Sequence, residues 1–117
     1  MKITSREFQR FIEEQSAMFI SLSPDESEKE RILSRNTKLG EEAGEVCAAV
    51  LGLFGQQRKS ADRESKELAT ELADVVICAY LLAEVTNVDM SEALATKMAK
   101  IRAKHNPQII ATIRGEK

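Results

Sequence analysis

Apolar residues recur at helical spacing along most of the chain, and local start and stop signals divide them into four amphipathic segments. Thr4 with Glu7 has capping-box spacing and predicts a first helix with Phe8, Phe11, Ile12, Phe19 and Leu22 on one strip. That strip reads as core, with a Phe ring stacked on a ligand base as the alternative. Ser23-Pro24 is read as the end of this helix and the start of the next, with Ser23 as N-cap and Pro24 in the first turn. Asp25, Glu26 and Glu28 then suit the positive end of the helix dipole. The second helix is expected over about Pro24 to Phe54, bent or broken near Ser34 to Asn36, with Gly55 as C-cap. Gly44 inside it costs about 1 kcal/mol relative to Ala and suggests close approach by a neighbouring helix or ligand.

The polar stretch Gln56 to Arg63 is the expected loop, followed by a third helix over roughly Glu64 to Thr86 that Asn87 ends. From Val75 onward this helix is apolar around much of its circumference. It needs partners on two sides, which a small four-helix monomer supplies poorly, so a homodimer or homotetramer is expected. Asp89 with Glu92 forms another capping box, and a fourth helix reaches about His105, where Asn106-Pro107 ends it. Residues 108–117 have no clear period and read as a tail or an arm onto a partner subunit. The expected architecture is all-α, an antiparallel four-helix-type bundle over residues 1–107 that is oligomeric.

Two strips break the amphipathic pattern. Glu41, Glu42 and Glu45 lie in LGEEAGEV, and Glu71 and Asp74 lie in ELADVV. At 100° per residue, Glu42 and Glu45 continue the strip of Val46, Ala49 and Leu53. Glu71 and Asp74 likewise continue that of Val75, Cys78, Leu82 and Val85. Packed strip to strip, the two helices would bring four carboxylates to one half-buried pocket. Like charges about 4 Å apart repel by roughly 4 kcal/mol per pair at an effective dielectric near 20. Such a pocket is tolerable when its groups are protonated, solvated or neutralised by a cation. Ligands that are all oxygen suit Mg²⁺, with Mn²⁺ as substitute, rather than zinc. A solvated acidic face is the plain alternative, and the continuation of apolar strips speaks against it.

Composition narrows the class. Two Pro, five Gly, no Trp and 31% charged residues in 117 favour helices over sheet. A net charge of −2 gives no case for a nucleic-acid partner. MKITSREFQRF has no apolar signal core, and no stretch approaches a membrane span, so no membrane partner and a cytoplasmic setting are expected. Cys47 and Cys78 fall in apolar helical runs and read as reduced core residues, with a disulfide or reactive thiol as the other reading. The fourth helix is basic, with Lys97, Lys100, Arg102 and Lys104. This is either a solvated lysine face or, beside an acidic metal pocket, a set of cations for polyphosphate oxygens. Lys38, just ahead of the first acidic cluster, joins that phosphate-binding set. His105, the sole histidine, reads as a dipole partner at the helix end.

The acidic residues follow E-E-x-x-E, then 25 residues, then E-x-x-D. With KLGEEAGEV, ELATELADVV and KMAKIRAKHNP, the stretch from about Arg35 to Pro107 resembles the MazG-like, all-α nucleoside triphosphate pyrophosphohydrolases. That superfamily also holds dimeric dUTPases and phosphoribosyl-ATP pyrophosphohydrolase. The resemblance implies a helical bundle assembled as a dimer or tetramer. It also implies Mg²⁺-dependent cleavage of a (d)NTP to the monophosphate and pyrophosphate, in nucleotide-pool housecleaning. By this resemblance Glu42, Glu45, Glu71 and Asp74 match the family's metal ligands, and Glu41 its extra leading glutamate. Lys97 matches the phosphate-binding lysine of the segment K-M-x-x-N-R-x-[KR]-Y-P. The chain departs from that segment with Ile101 at the Asn position and His105 at the Tyr position, and it lacks the tryptophans of dCTP-directed members. These departures bear on substrate more than on reaction. Glu41 or Glu45 would accept a proton from the attacking water, and Lys97 and Lys100 would stabilise the departing pyrophosphate. A relative acting on phosphoribosyl-ATP or dUTP, and a non-catalytic helical oligomerisation or metal-binding module, are the competing readings.

Overall fold

Thr4 opens the first helix of the computed structural model with the expected capping box. Its hydroxyl accepts the Glu7 N–H at 3.1 Å, and the Glu7 carboxylate accepts the Thr4 N–H at 3.4 Å. Helix α1 (Ser5–Leu22) is followed by α2 (Glu28–Phe54), α3 (Ala61–Val85), α4 (Met90–Ala103) and α5 (Pro107–Ile113). The structure describes the backbone of residues 1–55, 61–105 and 107–115, and their side chains except those of 61–65, 109 and 110. No strand occurs among the described residues, and the fold is all-α.

Several boundaries differ from those expected. The second helix begins at Glu28, not Pro24. Ser23 closes α1, its N–H donating to the carbonyls of Phe19 and Ile20, and Pro24 and Asp25 form a turn. Ser27 is the N-cap of α2, its hydroxyl accepting the Glu30 N–H at 3.1 Å. A residue before proline is pushed out of the α region, so Ser23-Pro24 acts here as a stop, while Ser27 with Glu30 offers the better start. No bend interrupts α2 at Ser34 to Asn36, because no Gly or Pro lies between Glu28 and Leu39 to break its ladder. Gly55 ends α2 in extended geometry. Of the expected loop, 56–60 lie outside the described residues and 61–63 are helical. Asn87 takes the left-handed φ of 57° after α3, and Asp89 caps α4 by accepting the Glu92 N–H at 3.0 Å. The expected tail contains α5, with Pro107 as its first residue, where a missing N–H costs nothing.

Residues Met1–Asn87 (α1 to α3) form one compact unit, and Val88–Lys117 (α4 and α5) form a second. Within the first, α3 packs along α2 and, less extensively, on α1, while α1 and α2 touch each other little. Ile12, Cys78, Leu81 and Ala83 are its buried apolar residues, with Ser16 buried beside them. Phe8 meets Tyr80 edge to face, centroids 4.8 Å apart, tying α1 to α3. Of the α1 strip expected as core, only Ile12 is buried. Phe8 and Phe19 are half-buried, and Phe11 and Leu22 are exposed. Both cysteines are free, but Cys47 is exposed rather than in the core. It lies about 140° around α2 from Glu42, on the side that α3 does not cover. Among the described residues no helix is long and apolar enough to cross a membrane.

Candidate active site

Leaning separately on α3, α1 and α2 leave a cavity of about 550 Å³ between them. Phe11, Gln15 and Phe19 line it from α1, Arg35, Lys38, Glu41 and Glu42 from α2, and Asp74, Ile77, Cys78 and Leu81 from α3. At its acidic end, Glu42 meets Glu71 and Asp74. All three are half-buried, and one carboxylate oxygen from each lies within 4.8 Å of the others. Local structure explains the meeting. Glu71 and Asp74 are one helical turn apart on α3, and Glu42 lies about as far before the α2–α3 connection as they lie after it. The long helices therefore run antiparallel and bring the two acidic strips level.

Charge gathered in this way perturbs its members. Glu71 is held above the usual carboxylate range, first because its surroundings strip it of water, then by the charges of Asp74, Glu42 and Glu45 and by a hydrogen bond to Glu42. Burial pushes the Cys78 thiol up, and the charges of Glu42 and Asp74 push it further. Lys38 answers from the helix surface, its ammonium 3.3 Å from Glu42 and 3.4 Å from Glu41. Hydrogen bonding to Glu42, then to Glu41, raises its pKa and keeps it protonated.

The remaining sequence candidates divide clearly. Glu45 is exposed and outside the triad of oxygens, although its charge still reaches Glu71. Glu41 is exposed at the cavity, paired with Lys38. Lys97, Lys100, Arg102 and Lys104 belong to the second unit and are exposed. Lys97 and Lys100 share a hollow of about 460 Å³ there with Asp89 and Glu92. Lys104 is the C-cap of α4, and His105 lies just beyond it. A Cβ at Gly44 would meet nothing within 4 Å among the described residues, so none of them makes the close approach expected there.

Sequence reasoning passed over Arg35 and Gln15. Arg35 falls on the Glu42 strip seven residues earlier, and its guanidinium lies 4.3 Å from the centre of the Phe19 ring. That helical spacing was the available signal. Phe11 and Phe19 line the cavity rather than fill a core.

The donor set fits a hard divalent ion. Oxygens about 2.1 Å from an octahedral ion stand roughly 3–4 Å apart, so three already within 4.8 Å need only small rotations to hold one. A family model for phosphoribosyl-ATP pyrophosphohydrolase matches residues 5–100, from the first residue of α1 into α4. The chain belongs to this family. No curated protein and no solved structure gives a significant match. The phosphoribosyl-ATP pyrophosphohydrolase family lies within the MazG-like all-α superfamily and is metal-dependent. Its members hydrolyse phosphoric anhydrides. The match takes in α1, which the motif-based resemblance from Arg35 onward did not reach.

Proposed function

We propose that the protein is a Mg²⁺-dependent pyrophosphohydrolase that splits a nucleoside triphosphate between its α and β phosphates, releasing pyrophosphate, as a step in nucleotide-pool housecleaning. The observation that carries this reading is the triad Glu42, Glu71 and Asp74, whose oxygens converge within 4.8 Å beside a nucleoside-sized cavity. A second reading, phosphoribosyl-ATP as the substrate of the same bond cleavage, is favoured by the family match over residues 5–100.

Glu42, Glu71 and Asp74 would hold the metal, which when bound offsets triphosphate charge and fixes the attacking and leaving oxygens. Water oxygen bonds to phosphorus, the bridging P–O bond breaks, and pyrophosphate leaves with the bridging oxygen. Glu41 and Glu45 lie outside the triad, and either would accept the proton of the water, Glu41 once Lys38 has turned from it. Lys38 trades its carboxylate partners for a phosphate oxygen when substrate enters. By the motif resemblance Lys97 and Lys100 would stabilise the departing pyrophosphate, with Arg102 and Lys104 as further cations for phosphate oxygens. The working form is a homodimer or homotetramer, a reading supported by the exposed apolar residues Leu72 and Val76 of α3.

Pyrophosphate release from ATP, the deoxynucleoside triphosphates and phosphoribosyl-ATP, with Mg²⁺ and then with EDTA, tests the reaction and its substrate. Glu42→Gln is expected to lower kcat/KM by on the order of a hundredfold. Its circular dichroism should be retained and its melting temperature should not fall, since a repelling charge is removed. Wild-type protein inert toward every nucleotide would leave the non-catalytic module as the answer.

A further inference from the structure

Toward the start of α2 the strip that carries Glu42 changes sign. Arg31, Arg35, Lys38 and Glu42 are spaced four, three and four residues apart and lie within about 60° of one another around the helix. Lys38 has its partners in Glu41 and Glu42. Arg31 and Arg35 have no ion pair among the described residues, and the Nε–H of each is buried without an acceptor. A buried guanidinium donor left unpaired is costly, and two in successive turns call for a common explanation.

Arg35 is also pre-set. The Phe19 ring, 4.3 Å away, takes up one face of the guanidinium plane. Its Nε–H is enclosed, while the side chain forms part of the wall of the cavity shared with Glu42 and Asp74. Two parallel N–H donors in one plane match two oxygens of a phosphate, which a lysine would hold only as a point charge. Spacing adds the remaining term. At 1.5 Å per residue, Arg35 lies about 10 Å along α2 from Glu42, and Arg31 about 16 Å. A nucleoside bridges the first interval, and a phosphorylated sugar attached beyond its base extends into the second.

We propose that Arg35, with Arg31 one turn behind it, binds a phosphate monoester at the end of the substrate remote from the hydrolysed anhydride. The inference rests on the functional proposal only in taking the carboxylate triad as the hydrolytic end. It gives the cavity a polarity, with polyphosphate at Glu42, the nucleoside against Phe11 and Phe19, and a second phosphate at Arg35, Arg31 lying one turn beyond the cavity wall. ATP offers the arginines nothing. Phosphoribosyl-ATP offers them the 5′-phosphate of the ribose on its adenine. Arg35 and Arg31 are therefore specificity residues that separate the two substrate classes.

The test uses the full chain and two readouts, steady-state pyrophosphate release with Mg²⁺ and dissociation constants by equilibrium dialysis, for phosphoribosyl-ATP and for ATP. Arg35→Gln should raise both KM and Kd for phosphoribosyl-ATP at least tenfold, Arg31→Gln by less. Both variants should leave kcat for phosphoribosyl-ATP within about twofold, and the loss of ATP affinity should be at least fivefold smaller than the loss of phosphoribosyl-ATP affinity. Arg35→Lys should recover part of the loss and serves as the folded comparison if the glutamine variant melts early. Equal wild-type affinity for the two ligands would overturn the proposal. So would parallel losses for both ligands in Arg35→Gln and Arg35→Lys, the mark of a side chain that merely props α1 against α2. Discriminating binding without turnover would uphold the arginine site while removing the hydrolytic reading. Turnover of both substrates with no arginine effect would do the reverse.

Discussion

Glu71 ionises against its surroundings, half-dehydrated and facing Asp74, Glu42 and Glu45. Its folded-state pKa therefore exceeds the ordinary 4.5. Between 4.5 and that raised value the folded protein retains a proton that the unfolded chain has released, so stability falls as pH rises through this window. Metal-free protein should accordingly melt at higher temperature as pH is lowered from neutral into the window. Glu71→Gln should flatten the trend, and Mg²⁺ should stabilise most at the neutral end, where protons do not compete for the same oxygens. Scanning fluorimetry across pH, with EDTA and with Mg²⁺, reads all three, and parallel curves for wild type and Glu71→Gln would refute the account. Glu42, Glu71 and Asp74 were legible in the sequence because each extends an apolar strip. Glu45 extends the same strip yet is exposed, since strip position fixes only its own helix. Where α3 lies decides the rest: Val46 and Ala49, within about 40° of Glu42 around the helix, are half-buried, while Glu45, about 60° away, faces out.

Between one helix and the next, short-range chemistry governs what a sequence discloses. The Thr4, Gly55 and Asp89 boundaries were readable from cap residues a few positions apart. Two candidate caps in succession, Ser23 and Ser27, defeated the reading at the start of α2, because each satisfies a local rule and the proline merely favours one of them. Proline also misled at the other end, where Pro107 opens α5 as well as following α4. Gly44 provides the test at this scale. It lies inside α2 with no described residue against it, so Gly44→Ala should raise stability by about 1 kcal/mol in urea unfolding. A loss instead would mean that a second chain packs against that face.

Among the described residues of the first unit, few apolar side chains are buried. Within the first unit, Leu72 and Val76 are about half exposed (48% and 50%), and Leu51 and Phe54 at the end of α2 are 72% and 83% exposed. Apolar surface of this kind favours association at roughly 25 cal/mol per Å² removed from water. Light scattering after gel filtration should therefore give a multiple of the 13.0 kDa chain mass for wild type. Leu72→Glu with Val76→Glu should shift the peak toward the monomer. A wild-type monomer would remove the proposed assembly. Helical periodicity disclosed that α3 is apolar around much of its circumference from Val75 onward, but a period cannot say whether the covering surface comes from the same chain or from another copy.

The two thiols close the picture from a practical side. Cys47 stands in the open on the flank of α2 turned from the carboxylates, while Cys78 is enclosed against them with its proton held tightly. Thiolate is the reactive form, so an alkylating probe at neutral pH has one address on this chain. A fluorophore or spin label can thus be attached two residues from Glu45 without entering the cavity, which turns the acidic helix into its own reporter.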